Sequence, residues 1–239
     1  MTPPSTEIEA TNQGNSVRTR GWRDSKWLIV VELLIVGLIF MADRKQLIPY
    51  SKTPFLLLFA WGSLRVRNLR WRDVGLSRYQ TWEKTLGYGI VAGIALEAFQ
   101  LFVSQPFLVR VLKKQPDLEL FQALHGNVKW TLLAIAGAWT LAAFGEEMVY
   151  RGYLMNRLAD FFDRGRGAWI ISLVVVHIGF GLAHAYQGIT GVLDEGLMGL
   201  LLGVIYLANR RNLSVPIVAH GLTDTIDFVL MFLGKYPGM

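Results

Sequence analysis

The sequence contains no cysteine. That absence excludes disulfide bonds, thiolate metal sites and a cysteine nucleophile, and it says nothing about compartment. Charge is scarce as well: 18% of the 239 residues are Asp, Glu, Lys or Arg, where a soluble domain averages about 25%. Histidine is confined to four positions, so any histidine chemistry draws on very few residues. No His-Glu-x-x-His, Gly-x-Ser-x-Gly or Gly-x-Gly-Asp occurs, and Ser172 and Ser214 lack the local context of a serine nucleophile. The motif-level signatures of several hydrolase classes are therefore missing.

What is present is apolar. The chain is 52% hydrophobic, with a mean hydropathy of +0.35, and its apolar runs are separated by short basic segments. This predicts an all-α fold, a polytopic transmembrane helical bundle of about seven (six to eight) spanning helices. Candidate spans are 27–42, 47–64, 86–109, 130–146, 168–186, 190–208 and 214–234. The first two are short for a hydrocarbon core of about 30 Å.

Much of the net charge of +6 sits in "RTRGWRDSK" and "SLRVRNLRWRD". These clusters flank apolar runs instead of covering a soluble face, which points to membrane lipid and not to nucleic acid. Arg65, Arg67, Arg70 and Arg72, then Arg164 and Arg166, then Arg210 and Arg211 mark alternate connections as cytoplasmic. Seven spans then place the N-terminus in the cytoplasm and the C-terminus outside. Residues 110–129, with Arg110, Lys113 and Lys114, fall on the outside in this scheme and read as an interfacial amphipathic helix. Residues 1–24 are polar, without the apolar core of a signal peptide, and read as a disordered basic cytoplasmic tail. The transmembrane domain is then 25–239.

Within "GEEMVYRG", Glu146 and Glu147 follow an apolar run directly, reading as a helix end. An ionisable residue in a bilayer is expected to have a partner and a function. Glu147 and Arg151 are four apart on one helical face, with Glu in the favourable N-terminal place. Glu146 points about 100° away, with Tyr150 at its i+4 position and no local cation, so it must face water, a metal or a distant histidine. In "HIGFGLAH", His177 and His184 share a helix face, as do Phe180 and His184. In "VAHGLTDTIDF", His220 and Asp224 are at i and i+4. Carboxylates and histidines converging from several helices are a common way to build a site in a bundle. His177 reads as a packing residue.

These residues carry a family resemblance. "EEMVYR" matches Glu-Glu-x-x-x-Arg, "FGLAH" matches Phe-x-x-x-His, and "HGLTD" matches His-x-x-x-Asn/Asp, in that order. Together they resemble the CPBP family of intramembrane proteases, the CAAX prenyl protease and bacteriocin-processing enzymes, also called the Abi family. The resemblance covers about residues 125–234. It implies an endopeptidase of the plasma (inner) membrane of a bacterium, cutting a membrane-associated substrate that is CAAX-like and prenylated or leader-bearing. By the same resemblance, Glu146 would be the general base for a water shared with His184. His220 and Asp224 would meet the developing oxyanion or a metal, and Glu147 and Arg151 would hold the helix and its electrostatics. Phe180, His177 and Tyr150 would support them.

Two readings of the water stay open. Glu146, His184 and His220 could hold zinc with one position free, or Glu146 and His184 could act without metal. The third motif ends in Asp224, where the family often has Asn, and an ionised carboxylate cannot donate to an oxyanion. Asp224 must then be protonated, orient His220 or touch a metal. Two rival classes remain, a non-catalytic membrane scaffold or bacteriocin-immunity protein, and an ion-relaying transporter. The first three spans offer a transporter only Glu32 and Glu97.

Overall fold

The computed structural model describes residues 21–77 and 80–239, which form helices and connecting turns with no strand among them. Seven helices follow in order among the described residues: α1 Lys26–Arg44, α2 Thr53–Val66, α3 Trp82–Leu112, α4 Val128–Phe161, α5 Arg166–Ala183, α6 Gly188–Ala208 and α7 Ser214–Phe232. Of the tail expected at 1–24, residues 1–20 lie outside the described residues, and Trp22–Asp24 form a 3₁₀ turn.

Helix starts follow local chemistry. Ser25, Thr81 and Asn127 accept from backbone N–H groups at the starts of α1, α3 and α4, satisfying donors that the first turn leaves free. Pro54 lies in the first turn of α2, where a missing N–H costs nothing.

Five helices, α3 to α7 with the turn at 185–187 joined to α6, are long and apolar enough to cross a membrane. The protein is integral to a membrane, with fewer such helices than the seven spans expected. The two exceptions have different causes. The 14 residues of α2 rise only about 21 Å at 1.5 Å per residue. The 19 residues of α1 carry Lys26, Glu32, Asp43 and Arg44. The stretch 110–129 also departs from expectation. Its first residues extend α3 to Leu112, its last two begin α4, and the part between is loop with a 3₁₀ turn at Glu119–Leu124, not an amphipathic helix.

Two helices contain wider turns. In α3, Gln100–Ser104 is π-helical and ends two residues before Pro106, whose ring and missing N–H disturb the regular ladder. In α4 the π-helical stretch covers Ala138–Leu154 and so includes both motif glutamates. They sit in the middle of a 34-residue helix, not at a helix end.

The helices alternate in direction, and their connections meet at two ends of the bundle. At one end Leu213 N–H donates to the Gly75 carbonyl (2.9 Å), and Asn212 donates to the Ser77 carbonyl (2.7 Å). At the other, Asp117 N–H donates to Gln187 and Gly126 N–H to Phe232, both at 2.9 Å. Between the ends, α3 packs most extensively on α7 and α5 on α6. Gly93 allows the first contact: a Cβ there would lie 2.9 Å from the Ala219 carbonyl oxygen. Small residues that let backbones approach drive helix association where lipid offers no hydrophobic contrast.

A buried polar network joins α1, α2 and α4. Glu32 accepts from Ser63 Oγ (2.5 Å) and from Arg67 Nη2 (2.8 Å), and Tyr153 donates its hydroxyl to Ser63 Oγ (3.0 Å). Removing one partner strands the other charge. Arg67→Leu is expected to cost about 3–5 kcal/mol, and Glu32→Leu/Arg67→Leu together much less. Denaturant unfolding of the detergent-purified protein checks both.

Candidate active site

Glu147 anchors the site. Its carboxylate is fully buried, and Oε1 accepts from Arg151 Nη1 (2.7 Å) and from His220 Nδ1 (2.8 Å). The i,i+4 partner is therefore as expected, but the second bond, reaching 73 residues along the chain to α7, has no local signal in the sequence. Arg151 Nη2 donates to the Gly199 carbonyl on α6 (2.6 Å), and its guanidinium lies 4.9 Å from the centre of the Phe180 ring on α5, a cation–π contact. One ion pair thus touches four helices.

Phe180 is the apolar hub. Its ring meets Tyr150 edge-on at 4.8 Å, His184 at 4.8 Å and His220 at 6.4 Å between centroids. Counting rises from the ends of the helices puts the two histidines at very different depths, yet both rings pack against this one side chain. His184 is not on the helix proper: α5 ends at Ala183, and His184 is its cap. Its Nδ1 remains tied to the Phe180 carbonyl (2.9 Å). A carbonyl only accepts, so Nδ1 carries the proton and Nε2 of the neutral ring keeps a free lone pair.

Glu146, His184, His220 and Asp224 all line one cavity of about 280 Å³. Glu146 is only half-buried, as a residue without a local cation should be. Asp224 Oδ1 lies 3.7 Å from His220 Nε2, beyond hydrogen-bond range and close enough for charge to matter. His177 stands apart. It is buried, its Nδ1 faces the Leu173 carbonyl at 2.5 Å, and it fills the space beside Gly203. That is the packing role expected for it.

The zinc reading requires Glu146, His184 and His220 to converge. Among the described residues no three His, Asp or Glu side chains are arranged to hold a metal ion. Both histidines engage an acceptor through Nδ1, which leaves Nε2 as the nitrogen that could meet a metal, so what is missing for zinc is the convergence of the three side chains.

Further acids join the cavity that motif reading passed over. Glu195 and Asp227 line it, Glu195 accepts from Gln187 Nε2 (3.3 Å), and neighbouring Asp194 accepts from Gln100 Nε2 (3.0 Å) and from Ser104. Asp227 continues the face of His220 and Asp224 by one more turn, and "LDEG" is a second acidic pair inside an apolar run. The rule applied to "GEEM" would have found both. Tyr236, beyond α7, also lines the cavity. Burial, and after it the negative field of Asp227 and Glu195, hold its hydroxyl well above the usual tyrosine range, so it stays protonated at neutral pH.

No curated protein and no solved structure matches the chain. A family model does. Residues 128–226, which hold Glu146, Glu147, Arg151, His184, His220 and Asp224, match the family described as Rce1-like, type II CAAX prenyl endopeptidase Rce1-like, in agreement with the CPBP resemblance that the three motifs carry.

Proposed function

We propose that the protein is an intramembrane endopeptidase that cuts a peptide bond in a membrane-associated, CAAX-like prenylated or leader-bearing substrate. Water is activated by Glu146 and His184 without a metal. The observation that carries this reading is the sharing of one cavity by Glu146, His184, His220 and Asp224, with His220 held from behind by Glu147.

The chemistry follows from the atoms. Glu146 takes a proton from water as the oxygen attacks the scissile carbonyl, while Nε2 of His184 accepts the second water proton in a hydrogen bond. The carbonyl oxygen becomes negative beside the Nε2 edge of His220, which offers an N–H there when doubly protonated. Collapse expels the amine, which takes the proton from Glu146. Asp224 acts here as a partner of His220, the second of its three sequence-level options, and the 3.7 Å approach supports it. The membrane is proposed to be a bacterial plasma membrane, with the arginine-rich connections 65–72, 164–166 and 209–213 and the N-terminus in the cytoplasm.

Glu146→Gln is expected to lower kcat/KM for a farnesylated, membrane-anchored peptide by about 10²–10⁴-fold, with thermal unfolding unchanged. Equal cleavage by variant and wild type would sink the assignment of Glu146 as the base. A chelator should leave the rate of the wild type unaltered; loss with chelator and return with zinc would overturn the metal-free step. Glu147→Gln should lose both activity and stability, the latter by about 3–5 kcal/mol, because Arg151 then lies buried without its counter-ion. Unfolding and turnover measured on the same preparation separate it from Glu146→Gln.

A further inference from the structure

Tyr150 is 2% exposed, and its hydroxyl meets no hydrogen-bond partner among the described residues. A buried donor left without an acceptor is rare and costs stability, whereas phenylalanine would fill the same space without that cost. The ring is not free to turn toward a partner. Phe180 meets it edge-on at 4.8 Å and Phe40 at 6.2 Å between centroids, within an apolar cluster to which α1, α2, α4 and α5 all contribute.

An acceptor stands one turn away. Side chains on a helix lean back over the preceding turn, so Tyr150 leans toward Glu146, four residues earlier. The Glu146 carboxylate is also the charge that acts most strongly on the hydroxyl, ahead of Arg151 and Asp43. Among the described residues no group donates to that carboxylate. Asp43, the other acid within range, already holds Lys52 (3.3 Å). A donor without an acceptor thus faces an acceptor without a donor, and the acceptor is the base of the proposed reaction.

We infer that Tyr150 is a positioning residue: in the substrate-loaded site its hydroxyl donates to one oxygen of Glu146 and holds the carboxylate so that the other oxygen faces the attacking water. This rests on the endopeptidase reading and deepens it. Glu146 makes the movement, since it is half-buried and turns about its side-chain bonds while the tyrosine ring is pinned. Catalytic hydrogen bonds commonly tighten only once substrate is in place. A hydroxyl donating to a carboxylate forms one of the stronger protein hydrogen bonds, and a base already fixed in the orientation for attack has less freedom to lose on the way to the transition state.

The test uses the full chain in neutral detergent and a farnesylated, membrane-anchored peptide. Values of kcat and KM are measured for the wild type, Tyr150→Phe, Glu146→Gln and the double variant. Tyr150→Phe should lower kcat by about tenfold to a hundredfold with KM changed by less than about twofold. Its thermal unfolding should be unchanged or raised, because phenylalanine keeps the ring and removes the unbonded donor. The double variant should cleave no more than about twofold slower than Glu146→Gln alone, since the hydroxyl acts only through that carboxylate. A packing role would give the opposite pattern, with lowered unfolding and two losses that multiply. Either a wild-type kcat for Tyr150→Phe or multiplying losses overturns the inference. So does an effect of Tyr150→Phe that survives Glu146→Gln and vanishes in Asp43→Asn, which would make Asp43 the acceptor. If Glu146→Gln itself cleaves like the wild type, the base assignment falls; if Glu146→Gln is slow and Tyr150→Phe is not, the hydrolase stands and only the positioning bond is removed.

Discussion

The bond between Glu147 and His220 is the constraint on which the rest of the site depends. A carboxylate buried in an apolar bundle is expensive to keep ionised, and Glu147 is compensated by two cationic or hydrogen-donating partners from different parts of the chain. Arg151 arrives with it on the same helix; His220 arrives from α7. Because the same Arg151 also bonds the Gly199 carbonyl and covers Phe180, the positions of α4, α5, α6 and α7 are coupled through one carboxylate. The candidate site and the packing of the bundle therefore share the same set of contacts.

The role of glycine in this arrangement is spatial. Gly199 leaves room for Phe180, where a Cβ would come within 2.7 Å of the ring, and its carbonyl is the one that Arg151 uses. Gly93 does the same for the approach of α3 to α7, and that approach brings Glu97 up to Asp227. Small side chains in this protein set distances between polar groups that lie on different helices.

How much of this was legible in the sequence depends on the range of each interaction. The apolar runs and their basic borders were enough for an all-helical membrane bundle, and the Glu147–Arg151 pair could be read from a spacing of four. The bond from Glu147 to His220 could not, because nothing local encodes a contact across 73 residues. Motif order brought the same residues together only through resemblance. Helix limits failed for a physical reason: the wide turns of α4 carry the helix past Glu146 and Glu147, whereas hydropathy drops there and suggests an end. Glu195 and Asp227 lie outside the three matched motifs, although the cost of an intramembrane acid applies to every such residue.

The network of Glu32 has a consequence for how the chain enters its membrane. Arg151 sits one turn from Glu147, so α4 brings this carboxylate and its counter-ion into the apolar phase already paired. Glu32 has no such neighbour on α1; its cation, Arg67, lies 35 residues away at the end of α2. A lone α1 would carry an unpaired acid, and α2 is too short to hold itself across a bilayer. Glu32, Ser63 and Arg67 close the two into a hairpin, so the charge pairing of the N-terminal third depends on both helices, whereas α4 carries a counter-ion for Glu147 of its own.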